Sequence, residues 1–535
     1  MNTFIAHRPS HVDAMRRAVA TERRLARHAT LATLLAAPLL ASAAGVSVQF
    51  DPSAPSGAPF PSDRYTVADW TQNTFKRINL PKPDCAVLPS DCEDITVLNT
   101  LDGFNTQPRI SVPFTGAIDP ARISSDTVYL VNLGDTQGGR GHGNKVGINQ
   151  ISWEPASNTQ VFESDELLQQ HSRYALVVTT GVRDAAGDAI EVGRFGRFHR
   201  GGWRSHEHGD YLKSMRDGMH SARKHHHHIA ALSIFTTQSI TADLAKIHKR
   251  IKYSRPSPAD FMIGNGGTVR ALFPLAGLTG IQWQRQVGTA PAFNVSFLPT
   301  PALQVVPGAV AAVAYGKLSS PDYQDASKVI APTPTLWGWP RPVAHQDPSF
   351  QLFLPAGSKP AGGWPVAIFG HGFTDSMYGA PWAATSIFAA HGIPTISINV
   401  VGHGSGAAGT LIVIPSAGAP VVLPAGGRGF DQDGNGSIDS TEGVNAASPR
   451  TLLGSRDGLR QTVVDLMQLV RQIEVGVDAD SDGRADLDKD RIYYAGQSFG
   501  GIYGTIFLGI EDGIKAGVPN VPGGSITEVA RHPSR

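Results

Sequence analysis

Gly496-Gln497-Ser498-Phe499-Gly500 sets one serine between two glycines at G-x-S-x-G spacing. The pattern follows the β-branched and aromatic run "RIYYA" (491–495), and the stretch after it, through "GGIYGTIFLGI" (500–510), reads as a helix. A serine on a strained strand-to-helix turn presents its hydroxyl clear of the chain, and the flanking glycines let backbones pack closely. The helix N-terminus turns its amides toward developing negative charge. The chemistry this serves is nucleophilic attack on a carbonyl, with Ser498 as the nucleophile.

A second constellation carries oxygen ligands. "DQDGNGSIDSTE" (431–442) fits the twelve-residue EF-hand pattern D-x-[DN]-x-[DN]-G-x5-E at each fixed position. Asp431, Asp433 and Asn435 supply side-chain oxygens, Ser437 its carbonyl, Asp439 a water-mediated contact and Glu442 a bidentate carboxylate. Hard oxygen ligands suit Ca²⁺ over zinc. "DADSDGRADLD" (478–488) begins the same way, with Asp478, Asp480, Asp482, the Arg484 carbonyl and Asp486 in the ligand positions. Its twelfth position is Lys489, so Asp488 or Asp490 is the substitute. A structural calcium is expected at both loops, stiffening the approach to Ser498 without joining the chemistry.

These residues need a scaffold. "FQLFLPAG" (350–357), "WPVAIFGHG" (364–372) and "IPTISINVVGHG" (393–404) read as strands, with "PWAATSIFAAHG" (381–392) as a helix between the last two. Buried strands alternating with helices predict a mostly parallel sheet. The stretch 455–474 reads as a helix whose stripe Leu459, Val463, Leu466, Met467, Val470 and Ile473 packs on that sheet. Residues 405–430, rich in Gly, Ala, Pro and Val, suit part of a cap. Upstream, "RISVPF" (109–114), "TVYLVNL" (127–133) and "RYALVVTTGV" (173–182) are strand-like runs parted by turn residues, predicting a β-sandwich over 46–200. Residues 201–345 read as a connecting region: a histidine-rich linker or helix start (His199, His206, His208, His220, His225 to His228) without a metal, then a helix at 239–252 and Pro/Gly-rich short strands.

The 535 residues carry 46 Lys+Arg against 45 Asp+Glu, a net charge of +1, which argues against a nucleic-acid partner. The 58 glycines and 38 prolines exceed the average of about 7% and 5%, as loop-rich, strand-rich secreted chains do. Arg16, Arg17, Arg23, Arg24 and Arg27, then the apolar run Ala29 to Leu40, then Ala41-Ser42-Ala43 predict an export signal over 1–44. No run is long enough to span a membrane. Cys85 and Cys92, the two cysteines, are expected to form a local disulfide in an oxidising compartment. No dinucleotide fingerprint, P-loop or heme motif occurs, and no organic cofactor is expected.

"PRISVPFTGAIDP" and "YALVVTTGVRDAAGD" resemble the bacterial Ig-like modules found ahead of secreted enzymes. "WPVAIFGHGF", "INVVGHG", "RDGLRQTVVDLMQLVR" and "RIYYAGQSFGGIYGT" resemble the secreted bacterial lipases and esterases of the α/β-hydrolase superfamily that carry such a module. The resemblance implies an α/β-hydrolase domain over 346–535 behind an all-β Ig-like sandwich, and hydrolysis of a small-molecule or lipid ester, with a cell-surface role left open. It implies oxyanion donors from the Phe499 N–H and from the loop after the third strand, with the Phe373 N–H first and Gly372 next, and His371 shaping that loop. It also implies a Ser, Asp or Glu, His order. Only Glu511, Asp512, Glu528 and His532 follow Ser498, within the 37 residues to Arg535, so acid and base are expected to be missing and the hydrolase domain incomplete, as in a fragment or a truncated product. Two further readings stay open: a non-catalytic secreted calcium-binding or adhesion protein, and a serine peptidase on the same fold.

Overall fold

The computed structural model describes residues 45–51, 54, 57–138, 143–199, 209–225, 228–444 and 451–523. The predicted export signal, Glu528 and His532 fall outside them. Val46–Arg535 form one compact unit. Among the described residues no helix is long and apolar enough to cross a membrane.

The first half is a β-sandwich. Its strands are β1 (Ile110–Pro113), β2 (Val128–Asp135), β3 (Lys145–Val146), β4 (Ile148–Glu154), β5 (Thr159–Ser164), β6 (Ser172–Thr179) and β7 (Ile229–Thr236). They form one sheet in the order β1-β5-β4 and another in the order β3-β2-β6-β7. Alternating side chains such as Ile110, Val112, Phe162, Leu130 and Leu176 fill one shared core. The expected boundary at residue 200 is too early. β7 pairs antiparallel with β6 and every residue in it is buried. A strand buried on both faces needs a cover, and α1 (Gly209–Ala222) supplies it with Tyr211, Met215, Met219 and Ala222. Of the histidine-rich stretch, read as a linker or helix start, the part over 209–222 is a helix packed on the sandwich, while His206, His208, His226 and His227 lie outside the described residues.

The second half centres on a seven-stranded sheet. Its strands and neighbours are α2 (Ala242–Tyr253), β8 (Leu272–Pro274), β9 (Leu278–Gly288), β10 (Ala292–Phe297), β11 (Val310–Lys317), β12 (Ser349–Pro355), β13 (Trp364–Gly370), α3 (Ala380–Ala390), β14 (Thr395–Ile398), β15 (Gly406–Pro415), β16 (Val421–Pro424), α4 (Thr451–Val475), β17 (Leu487–Gln497), α5 (Phe499–Leu508) and β18 (Ile514–Asn520). The order is β8-β11-β12-β14-β13-β17-β18. The pairs β14/β13, β13/β17 and β17/β18 are parallel, and the other three are antiparallel. The expected mostly parallel sheet is thus a mixed one. Parallel neighbours need a crossover, and α3, α4 and α5 provide three; β8, β11 and β12 follow one another without one. The stretch 260–345, read as a connection, thus supplies β8 and β11 to the core sheet and β9 and β10 to a neighbouring sheet.

Period-two alternation divides the sheet's faces. Phe350, Leu352, Val366 and Ile368 pack with α2, α4 and α5. Phe353, Val313 and Tyr315 pack with α3 and with a four-stranded side sheet, β10-β9-β15-β16. The stretch 405–430 supplies two strands of that side sheet. The predicted stripe on α4 is buried along its whole length.

One buried ion cluster joins α2 to the end of α5. Glu511 is 2% exposed, with Lys252 at 2.8 Å and His248 at 3.2 Å, and Lys252 also pairs with Glu474. Desolvation alone would raise the Glu511 pKa, but its contacts with His248 and Lys252 together hold it below the usual glutamate value. Removing a partner from a buried pair strands the other charge. Glu511→Ala should lower unfolding free energy by about 3–5 kcal/mol in urea titrations at pH 7. Because the folded pKa is lowered, the stabilisation from Glu511 is present above the unfolded pKa of about 4.3 and is lost as pH falls through the folded value. The gap between wild type and variant should therefore narrow in acid.

Candidate active site

Register brings two turns together. Gly370 at the end of β13 sits opposite Gly496 near the end of β17, so the loops that follow leave the same edge of the sheet side by side. A Cβ built on Gly372 would lie 3.8 Å from the Ser498 Cβ. Ser498 is exposed, at φ 54° and ψ −111°, the N-cap of α5. A non-glycine residue at positive φ is strained and persists only when its surroundings fix it.

The fixings are visible. The Ser498 N–H donates to the Asn520 carbonyl on β18 at 3.0 Å. The Ser498 carbonyl accepts from the Gly501 and Ile502 amides at 2.8 and 3.1 Å. Tyr494 donates to the Gly500 carbonyl at 2.5 Å, and Tyr503 to the His371 carbonyl at 3.1 Å. Burial raises both phenol pKa values, so both remain donors. The Phe499 N–H, as the first helical amide, has no intrahelical acceptor.

His371 is fully buried. Its Nε2 accepts from the Val400 N–H at 3.0 Å, which assigns the proton to Nδ1, bonded to the Gly372 carbonyl at 2.9 Å. Burial, and then the neighbouring His403, push its pKa down to about 3. It is a neutral brace between the β14 loop and the Gly372 carbonyl. Phe373 is half exposed, its ring 5.3 Å from Phe499.

His403 completes this cluster, and sequence reasoning did not single it out; the G-H-G bracket in "INVVGHG" is the signal it left. Its ring stacks on Phe499 at 5.7 Å and meets Phe373 at 5.6 Å. Its Nδ1 bonds the Val401 carbonyl at 3.1 Å, and its Nε2 is buried without a partner. Burial lowers its pKa, keeping the ring neutral. Arg428 ties the same loop to α4: its amide donates to the His403 carbonyl at 2.8 Å, and its side chain reaches Asn399 and the buried Asp465.

Among the described residues the Ser498 hydroxyl has no hydrogen-bond partner. Glu511 and Asp512 precede β18 and so stand at the far end of that strand, about 20 Å from the elbow at ~3.3 Å per residue. They take no part at Ser498.

The first acidic loop is preorganised. The carboxylates of Asp431, Asp433 and Glu442 bring oxygens within 4.8 Å of one another. Asp431 Oδ2 accepts from the Gly436 amide, Asn435 Oδ1 from the Ser437 amide, and Glu442 from the Gln432, Asp433 and Asp439 amides. Asp431 Oδ1 is buried without a partner. The Ile438 amide donates to the Val287 carbonyl, joining the loop to β9. At its exit the loop packs on the active-site edge: Val444 backs onto Gly402, beside His403. In the second loop, Asp478, Asp480 and Asp486 gather likewise. Asp488 does not join them, because its carboxylate is held by Arg491 at 2.6 Å and by the Asp490 amide. Asp490 is exposed and pairs with Lys489. This loop enters β17 at the end remote from Ser498, so only the first loop lies against the active-site edge. Cys85 and Cys92 are joined by a disulfide.

Residues 91–195 match the model of a bacterial Ig-like domain. No curated protein matches the chain. Similar solved structures include an acetyl xylan esterase from Paenibacillus sp. R4 (14% identity over 52% of this chain and 58% of that one, TM-score 0.25). A cold-adapted esterase from an Arctic intertidal metagenomic library shares 12% identity over 38% of this chain and 59% of its own, with a TM-score of 0.21. A glucuronoyl esterase from Teredinibacter turnerae T7901 shares 13% over 38% and 40%, with a TM-score of 0.20. The chain thus spans under two thirds of each of these proteins, and overlaps this small carry no inference about its reaction.

The close approach of α5 to β13 is testable. A Cβ on Gly500 would drive into the Gly370 carbonyl oxygen, whereas one on Gly509 meets nothing nearer than 3.5 Å. Gly500→Ala should cost about 1–3 kcal/mol of stability, and Gly509→Ala less than about 0.5, compared by thermal melting.

Proposed function

We propose that this protein is a secreted serine hydrolase of carboxylic esters, built on an α/β-hydrolase sheet behind an Ig-like module. The observation that carries the reading is Ser498 at φ 54° on a strand-to-helix turn, with Gly372 alongside. The sheet supports it: antiparallel strands on one flank, then parallel strands that alternate with helices, and the serine at the tip of a parallel strand. In this reading Ser498 attacks the ester carbonyl, and the Phe499 and Phe373 amides hold the oxyanion. His371, locked neutral, keeps the Gly372 turn in place and is not the base. The half-exposed Phe373 ring offers an apolar wall to the acyl or alcohol group. The export signal read over 1–44 supports a location outside the cytoplasm.

Hydrolysis of p-nitrophenyl acetate and butyrate tests this. Ser498→Ala should lower kcat by at least about 10³-fold while leaving the melting temperature near wild type. Turnover that survives the substitution would sink the assignment. One observation favours a second reading, a calcium-binding protein without turnover: the Ser498 hydroxyl lacks a base among the described residues. Folded wild-type protein without measurable turnover decides for that reading.

The first acidic loop is proposed to take a structural Ca²⁺ through Asp431, Asp433, Asn435, the Ser437 carbonyl, Asp439 and Glu442. The unpartnered Asp431 Oδ1 and the positive φ of Gly436 suit it. A chelator should lower the melting temperature by several degrees, corresponding to about 2–3 kcal/mol at a hundredfold excess of calcium over Kd. Asp431→Asn should abolish that response. An unchanged melting curve on chelation would remove the site.

A further inference from the structure

The second acidic loop already contains a cation. Lys359, on the turn between β12 and β13, extends its ammonium into the loop's centre and is 15% exposed there. Its Nζ lies 2.8 Å from Asp486 Oδ1, 2.9 Å from Asp482 Oδ2, 3.4 Å from Asp480 Oδ2 and 3.4 Å from the Arg484 carbonyl oxygen. Counted from Asp478, these are positions 3, 5, 7 and 9, oxygens that a calcium loop of this pattern turns on its ion. The first loop shows no such guest: among the described residues no lysine or arginine pairs with Asp431, Asp433 or Glu442.

Two features favour an ammonium over a divalent ion here. Ca²⁺ needs six to eight oxygens and draws two of them from the carboxylate at position 12. Position 12 is Lys489, and the two nearby substitutes are committed to Arg491 and Lys489. Water must therefore complete the shell, and an ion here is held weakly enough for a resident ammonium to keep it out. An ammonium needs only three acceptors, and the loop supplies four oxygens within reach. The rest of the loop is held in the ion-binding shape without a metal, with Asp478 Oδ1 at position 1 left buried and unpartnered as Asp431 Oδ1 is in the first loop. Arg270 grips the Asp478 and Ala479 carbonyls at 2.7 and 2.6 Å, and Asp478 Oδ2 caps the Gly483 amide at 3.0 Å.

We propose that Lys359 is the resident cation of the second loop, so that this loop keeps the form of a calcium site and excludes calcium, while removal of the ammonium opens it to the ion. The inference concerns a different loop from the one assigned above, and it stands or falls separately from ester hydrolysis.

Calcium binding to the full chain, counted by isothermal titration at millimolar CaCl₂, tests it. With the first loop disabled by Asp431→Asn, the chain should bind no calcium. Adding Lys359→Met should give one ion per chain, and adding Lys359→Arg instead should give none, since the guanidinium keeps the charge in place. An ion bound by the chain carrying Asp431→Asn alone would overturn the proposal, with no need of a Lys359 variant. So would a folded Lys359→Met protein that takes no ion, or a Lys359→Arg protein that takes one. Failure of the first-loop assignment looks different: Asp431→Asn would then leave the wild-type count unchanged at zero.

Discussion

A serine held at φ 54° and ψ −111° is the constraint from which the rest of this architecture follows. That conformation costs of order 1–3 kcal/mol, so the surrounding chain must over-determine it. The determination is almost entirely main-chain. The elbow is pinned by an amide to β18, by two amides of α5, and by a phenol on the Gly500 carbonyl. These groups converge only if β17 lies between β13 and β18 in parallel, with α5 folded back over the junction. Parallel neighbours require crossovers, crossovers place helices on the faces, and those helices need the apolar stripes that the chain carries. The active-site edge is therefore a product of topology before it is a product of side chains.

The edge is braced from two further directions. His371 and His403, both neutral and buried, join the β13 loop to the β14 loop, and the His403 ring packs on those of Phe373 and Phe499. Arg428 carries that brace to α4 through Asp465, a buried pair whose carboxylate also accepts from Ser320. The Thr335 hydroxyl accepts from the Asn73 amide and donates to Asp102, and its backbone N–H donates to Gln72, joining the N-terminal half to the second half. The two halves consequently form one compact unit rather than a module on a tether.

What was legible in the chain was local. The elbow, the α4 stripe, the helix at 242–253 and the strands carrying the chemistry each declare themselves within a dozen residues, through a hydrophobic period and a turn residue at its end. What escaped notice depends on distant partners. β7 is a fully buried octet whose identity as a sandwich strand depends on β6, well earlier in the chain. β9 and β15 make sense only as a pair, joined across the whole of β11 to β14. The antiparallel flank of the main sheet follows from the lack of crossovers, which no single segment displays. Lys359 reads as an ordinary loop lysine, and Asp480, which it meets, is 121 positions away. The incomplete match at Lys489 is visible in the sequence, whereas the approach of Lys359 from a remote turn is not.

The glycines of the elbow define the site by what they lack. Gly370, Gly496, Gly500 and Gly504 fill no space, yet a single added carbon at any of them would strike a carbonyl or a tyrosine. A side chain that packs badly can be trimmed, and a large residue has smaller neighbours in the genetic code. Glycine has none. At Gly496 and Gly500 the obstacle is a carbonyl, so a compensating change there must move main chain, whereas at Gly370 and Gly504 it is a tyrosine side chain. The part of the chain with no side chains is in this sense the part least free to drift.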